Sequence, residues 1–315
     1  MKDFRQKTTK PSVLVADVGS KKVNRLFKGI LMTLAASLFF GAIPSIMLNA
    51  YNGGITVLTM LSLKYLLVTA ILVPYSIVKF EIHKLSKKLI LNIILVSGIL
   101  YVAQSALYAY AVTLMPIALA AMLLFTYPIM VSAISILNGS EKFNAKSFAL
   151  LLVSFAGLVF MFSGGIHGTS LLGVVCTLLA ALSYAVYVVV ISGLTKELTP
   201  LVTNTIVNAG SAVSITLLAV VSGSFSFDFI PSTWWYILIN ALFAGIIAYI
   251  LWFAGLKILG AVKTSVISMT EPVFASLISF FMLGQKMSIC EIFGGLVLLC
   301  SVTIFMYSKS KNNSV

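Results

Sequence analysis

Apolar residues along this chain fall in blocks of about twenty, divided by short polar stretches. A helix that crosses roughly 30 Å of hydrocarbon needs about 20 such residues. Ten runs reach that length: 28–48, 55–78, 89–111, 117–137, 146–164, 170–192, 200–222, 232–255, 262–283 and 289–307. The pattern predicts ten membrane-crossing helices with short connections and no inserted soluble domain. The first run exceeds the core of a signal peptide and reads as a retained helix. Residues 1–27 read as a basic tail, and 309–315 as a second polar tail.

Composition narrows the class. Of 315 residues, 60 % are hydrophobic and only 9 % charged, against about 25 % charged in a soluble domain. Soluble enzymes, disordered chains and disulfide scaffolds are excluded. Cys176, Cys290 and Cys300 have no metal-ligand spacing and read as packing residues.

The net charge of +13 takes its meaning from where the charges lie. If the runs alternate in direction, 19 of the 21 basic residues fall on one side of the membrane, Lys286 lies opposite, and Lys64 falls inside the second run. The positive-inside rule then predicts a multi-pass protein of the plasma (inner) membrane with both termini cytoplasmic. The charge is an orientation signal, with membrane lipid as the expected partner of the tail and no nucleic acid expected.

An offset of 144 residues superposes the sequence on itself. Gly29, Thr33, Leu34, Ala36 and Leu38 match Gly173, Thr177, Leu178, Ala180 and Leu182; Thr126, Pro128, Ser132, Ser135 and Lys142 match Thr270, Pro272, Ser276, Ser279 and Lys286. Each copy holds five runs, an odd number, so the second enters the membrane from the opposite side. The expected fold is an all-α polytopic membrane protein, with ten transmembrane helices as two inverted five-helix repeats over 28–165 and 166–308.

Pro128 followed by Glu141-Lys142, Glu271-Pro272 followed by Gly284-Gln285-Lys286, and Leu251-Trp252 running to Gly255-Leu256-Lys257 form a set of motifs that resembles the drug/metabolite transporter superfamily, in particular its EamA-type branch. Phe40-Gly41 stands where the family commonly has Trp-Gly, Gly139-Ser140 precedes Glu141, and Gln285 stands where Glu is frequent. The resemblance covers 28–307. It implies a ten-helix transporter and leaves the substrate open.

Charges at membrane depth come first as candidates for chemistry, because each costs about 2.5–3.5 kcal/mol at a helix centre. Lys64 could contact an anionic or zwitterionic substrate, and Glu271 could take a proton or a substrate amine. The competing structural reading is an ion pair between the two. Helical spacing also gathers polar side chains into stripes. One runs Ser97, Tyr101, Gln104, Tyr108, and another Asn204, Asn208, Ser211. Thr177, Tyr184 and Tyr187 form a third, with Gly245, Tyr249, Trp252 and Thr264, Ser268, Glu271 completing the set. The expected substrate-contacting set is Lys64, Tyr101, Gln104, Tyr108, Tyr184, Asn208, Tyr249, Trp252 and Glu271, with no catalytic or metal-binding residue. Trp234, Trp235 and Tyr236 read as an interfacial aromatic belt, and His167 as an exposed loop residue.

No nucleotide-binding, GxSxG or HExxH motif is present, and no cofactor is expected. The first and sixth runs carry no acidic residue, unlike the small multidrug-resistance relatives. The sequence therefore reads as a secondary transporter exporting small metabolites, amino acids or related amphipathic compounds, by alternating access around a midplane cavity. Protons are a candidate coupling ion. A membrane enzyme acting on lipid or isoprenoid substrates and a non-transporting scaffold are the alternatives.

Overall fold

The computed structural model describes residues 11–80, 82–163 and 170–312. The described residues contain ten long apolar helices and no strand. These are α1 (Pro11–Asn52), α2 (Val57–Phe80), α3 (Lys87–Ala111), α4 (Ile117–Leu137), α5 (Ala145–Phe162), α6 (Leu171–Leu194), α7 (Pro200–Val221), α8 (Thr233–Leu259), α9 (Ala261–Met282) and α10 (Ile289–Asn312). Each matches one apolar run to within a few residues. α1 differs in starting well before its run, at Pro11, so part of the basic tail is helical and continuous with the first span. Proline at a helix start loses no hydrogen bond, and none follows it before Pro44. Residues 1–10, and His167, lie outside the described residues.

Local chemistry fixes several helix starts. Asn144 Oδ1 accepts from the Ser147 amide at 3.0 Å at the head of α5. Thr199 Oγ1 caps α7 through the Val202 amide, with Pro200 in the first turn. Ser288 and Glu291 form a reciprocal capping box before α10: the Ser288 amide donates to Glu291 Oε2 at 2.6 Å, and the Glu291 amide to Ser288 Oγ at 3.1 Å. The link from α8 to α9 is the single residue Gly260, at φ 80°, a backbone conformation that a side chain would strain.

The 144-residue offset reappears in three dimensions. Gly29 of α1 lies against Ile258 and Leu259 of α8, while Gly173 of α6 lies against Leu114 and Met115 beyond α3; all of these differ by 144. Thr33 Oγ1 donates to the Gly29 carbonyl at 3.0 Å, and Thr177 Oγ1 to that of Gly173 at 2.9 Å. The first helix of each repeat therefore packs on the third and fourth helices of the other: α1 on α8 and α9, α6 on α3 and α4. α2 pairs with α7 and α5 with α10, where Ser154 and Ser301 share a hydrogen bond of 2.7 Å.

Irregularities in the helices obey the same offset. Wide, π-type turns occupy Ser97–Tyr101 in α3 and Ala241–Ala248 in α8. α4 is interrupted at Phe125-Thr126, before Tyr127-Pro128, and α9 at Met269-Thr270, before Glu271-Pro272. In both breaks the threonine hydroxyl bonds back to the carbonyl three residues earlier, Thr126 to Leu123 and Thr270 to Ile267, each at 2.7 Å. Proline lacks the amide that the preceding turn would use, and broken helices are tolerated at membrane depth where protein surrounds them.

One end of the bundle is latched. Thr56 and Thr59, at the start of α2, donate to the Ser224 carbonyl at 2.8 and 2.7 Å, and Thr59 Oγ1 accepts from the Ser226 amide at 3.2 Å. The Ile230 amide donates to the Gly53 carbonyl at 3.0 Å. These bonds tie the α1–α2 and α7–α8 connections together.

Candidate functional site

A cluster of tyrosines occupies the middle of the bundle. Tyr101 of α3 is its centre: its hydroxyl accepts from Tyr65 of α2 at 2.7 Å and from Tyr249 of α8 at 2.6 Å. Its ring lies 5.5 Å from that of Tyr187 and 6.2 Å from that of Tyr184, both on α6. Tyr184 stacks on Tyr187 at 5.8 Å and meets Tyr127 of α4 edge-on at 4.7 Å. Phe40 of α1 meets Tyr249 edge-on at 5.1 Å. Such geometries add about 0.5–1.5 kcal/mol per ring pair beyond area burial. Both repeats contribute rings, so the cluster straddles the boundary between them.

Glu271 borders the cluster. The α9 break places it in the first turn of the second half-helix, where the free amides and helix dipole favour a carboxylate. It is within electrostatic reach of Tyr101, Tyr108, Tyr127 and Tyr184. Among the described residues, nothing forms a hydrogen bond or ion pair with its carboxylate. Glu271, Tyr101, Gln104, Tyr108 and Tyr184 are each only half-buried, so the middle of the bundle is not sealed.

Lys64 lies against Tyr65, a member of this group. It is 5 % exposed, and its Nζ lies 3.9 Å from the centre of the Tyr65 ring. It does not pair with Glu271, and no other described carboxylate forms an ion pair with it. The two charges are therefore not paired with each other, and Lys64 meets the cluster through the Tyr65 ring.

Two members of the expected set have structural partners. Trp252 is 2 % exposed and donates from Nε1 to Ser268 Oγ at 3.2 Å, tying α8 to the first half of α9. Asn208 donates to the Asn204 carbonyl at 2.8 Å and to Asn204 Oδ1 at 2.6 Å, and its own Oδ1 is buried without a partner. Asn204 donates in turn to the Gly245 carbonyl at 2.9 Å, inside the wide turn of α8. Ser97, from the same stripe as Tyr101, is fully buried and returns its hydroxyl to the Ile93 carbonyl at 2.8 Å. Gln104 lies one turn along α3 from Tyr101, with its Oε1 3.4 Å from Ser105 Oγ. Tyr65, Tyr127 and Tyr187 belong to the cluster but not to the expected set. The signals for two of them were present: Tyr127 is the repeat equivalent of Glu271, and Tyr187 shares a helical stripe with Tyr184.

Ten apolar helices in two matching halves, meeting at a half-open polar and aromatic centre, define a multi-pass membrane transporter. The chain belongs to the EamA-like transporter family, whose profile matches residues 27–163 and again 171–307. "Uncharacterized transporter YoaV" of Bacillus subtilis is 26 % identical over 76 % of this chain and 85 % of its own length. An uncharacterized transporter of Clostridium kluyveri is 25 % identical over 90 % of this chain and 94 % of its own. A crystal structure with 17 % identity superposes with a TM-score of 0.73, covering 88 % of this chain and 95 % of that one, and shares the fold.

Proposed function

We propose that this protein is a secondary transporter that exports small amphipathic metabolites, amino acids or close relatives, by alternating access around the tyrosine cluster. The observation that carries this reading is the unpaired Glu271, held at a helix break beside rings drawn from both repeats. An isolated charge at this depth is costly, and a ligand that neutralises it offsets that cost.

The matched halves favour alternating access. Two sets of five helices with the same breaks and wide turns can exchange roles, opening the centre first to one side and then to the other. The distribution of basic residues supports placing the basic end in the cytoplasm, which puts the latch of Thr56, Thr59 and Ser224 on the outside. Tyr101, Gln104, Tyr108, Tyr184, Tyr249, Glu271 and Lys64 are assigned to the substrate path. Asn208 and Trp252 support it from behind through the bonds described above. Protons serve as the coupling ion in this reading, with Glu271 as the exchangeable site.

Proteoliposomes containing the purified protein test this. Labelled amino acids trapped inside should exchange with unlabelled pools outside, and a pH gradient should drive net accumulation. Glu271→Gln should lose the gradient response. Uptake indistinguishable from empty liposomes across a broad metabolite panel would refute the reading.

A further inference from the structure

The two repeats are packed differently at the helix breaks. Trp252 of α8, Ser268 in the first half of α9 and Tyr127 in the second half of α4 meet in one buried knot. Trp252 Nε1 donates to Ser268 Oγ at 3.2 Å, the Tyr127 hydroxyl reaches the same serine, and none of the three is more than 5 % exposed. Moving each by 144 residues gives Tyr108, Leu124 and Glu271, and all three of these are half-buried. Around the first set, the second half of α4 packs on the first half of α9; around the second, Ile117–Leu124 and Glu271–Leu283 make no comparable contact. Repeat-related cavities agree: one of about 10 Å³ beside Ser132 and Lys142 is matched by one of about 150 Å³ beside Ser276 and Lys286. The bundle is thus shut between α4 and α9 at its basic end and open between them at the other end, where the latch joins different connections, α1–α2 and α7–α8.

We infer that Glu271 and Leu124 form a charge interlock: the open end closes only after a proton has neutralised Glu271. This rests on the alternating-access reading above, in which the repeats exchange conformations, and adds the contact that ties the exchange to the proton. On exchange, the knot of Trp252, Ser268 and Tyr127 opens and its counterpart assembles. Glu271 then takes the place of Tyr127, Leu124 that of Ser268, and Tyr108 that of Trp252.

The substitution of leucine for serine decides the outcome. The Ser268 hydroxyl serves its neighbours, whereas Leu124 has no polar atom to offer. Closure therefore seats a carboxylate against hydrocarbon as water leaves. An ionised carboxylate is strongly disfavoured there, and the protonated acid needs only a hydrogen bond, which the Tyr108 hydroxyl can supply. That hydroxyl can also bond the ionised form, but it leaves the charge uncancelled. The surrounding groups do not cancel it either. Tyr101 and Tyr108 of α3, Tyr127 of α4 and Tyr184 of α6 are neutral hydroxyls, and Gly41 of α1 has no side chain. Lys64 lies on the Tyr65 ring. Lys286 and Glu291 line the cavity beyond Pro272, where Lys286 is exposed and Glu291 is held in its capping box.

Thiol labelling reads the two ends without any substrate. In the full chain with Cys176, Cys290 and Cys300 replaced by alanine, Ala121→Cys reports the open end and its repeat partner Ser265→Cys, fully buried here, the closed end. The ratio of their labelling rates by a sulfonated maleimide in detergent cancels the reagent's own dependence on pH. Position 121 should label faster in mildly alkaline buffer, and mild acid should lower the ratio about tenfold or more. Glu271→Gln should hold the ratio low at both pH values. Leu124→Asn, close in size, supplies a donor to the carboxylate; it should lower the alkaline ratio with Glu271 intact and have no such effect combined with Glu271→Gln. Ala118→Cys and Val262→Cys, also related by the offset, replace the first pair if either variant fails to fold. A ratio that ignores pH in the parent overturns the inference, as does a Leu124→Asn effect of equal size with and without the carboxylate. A pH-dependent ratio without vesicle exchange would sustain the interlock and refute the transport reading; proton-driven exchange with a flat ratio would do the reverse.

Discussion

Gly41 of α1 and Glu271 of α9 are in backbone contact: a methyl group on Gly41 would fall 2.8 Å from the Glu271 carbonyl oxygen and 2.9 Å from the Ala275 amide nitrogen. The half-helix that carries the carboxylate is thus seated directly on the first helix of the other repeat. Gly41→Ala must push the two apart by several tenths of an ångström. Exchange in proteoliposomes should fall about tenfold or more while the protein still inserts and purifies as a single species. Full activity in Gly41→Ala would show that this close approach does not position Glu271.

Tyr101 is the shared acceptor for two buried hydroxyls, those of Tyr65 and Tyr249. Tyr101→Phe removes the acceptor and leaves both donors unmatched, at about 1–3 kcal/mol each. Tyr65→Phe removes a donor and strands nothing comparable, because Tyr101 keeps Tyr249. Thermal unfolding in detergent should therefore show a clearly larger loss for Tyr101→Phe. Equal midpoints for the two variants would contradict the shared-acceptor arrangement.

Asn204 reaches from α7 to the Gly245 carbonyl and also accepts from Asn208. Asn204→Leu leaves that carbonyl and the Asn208 amide short of a partner in a dry interior, a loss of about 2 kcal/mol or more. Asn240→Leu is the comparison, since Asn240 donates only to the weak sulfur acceptor of Met47 at 3.1 Å. The Asn204 variant should unfold at the lower temperature; the opposite order would remove Asn204 from this role.

The latch predicts a local effect. Thr59→Val keeps the β-branched shape and removes the hydroxyl that bonds the Ser224 carbonyl and the Ser226 amide. Hydrogen exchange at residues 224–228 should quicken several-fold, with α5 and α10 unaffected. Unchanged exchange there would mean that other contacts hold this end closed.

The ten spans were legible because hydrocarbon thickness imposes one length on every crossing, and no soluble fold produces that pattern. The repeat was legible because helix-packing positions such as Gly29 and Gly173 tolerate little side-chain bulk, and the breaks at Thr126 and Thr270 need the same chemistry. The wide turns at Ser97–Tyr101 and Ala241–Ala248 left no trace, since neither segment differs in composition from an ordinary apolar helix. Tyr101, Tyr184 and Tyr249 came from helical stripes, whereas Tyr65 lies beside Lys64 in sequence and gave no periodic signal. Asn204 shows the limit of stripes: a buried amide reads the same whether it lines a path or caps a neighbouring carbonyl.

The paired wide turns have a mechanical consequence. An ordinary helix advances about 100° per residue, so a turn that absorbs one extra residue sets the azimuth of everything beyond it. Tightening the α3 turn alone would swing Tyr101 around its axis and break its bonds to Tyr65 and Tyr249 in one motion. The α8 turn would do the same from the other half, carrying Tyr249 away from Tyr101. Each half thus holds a dial on the same knot of hydroxyls, and turning either one unties it.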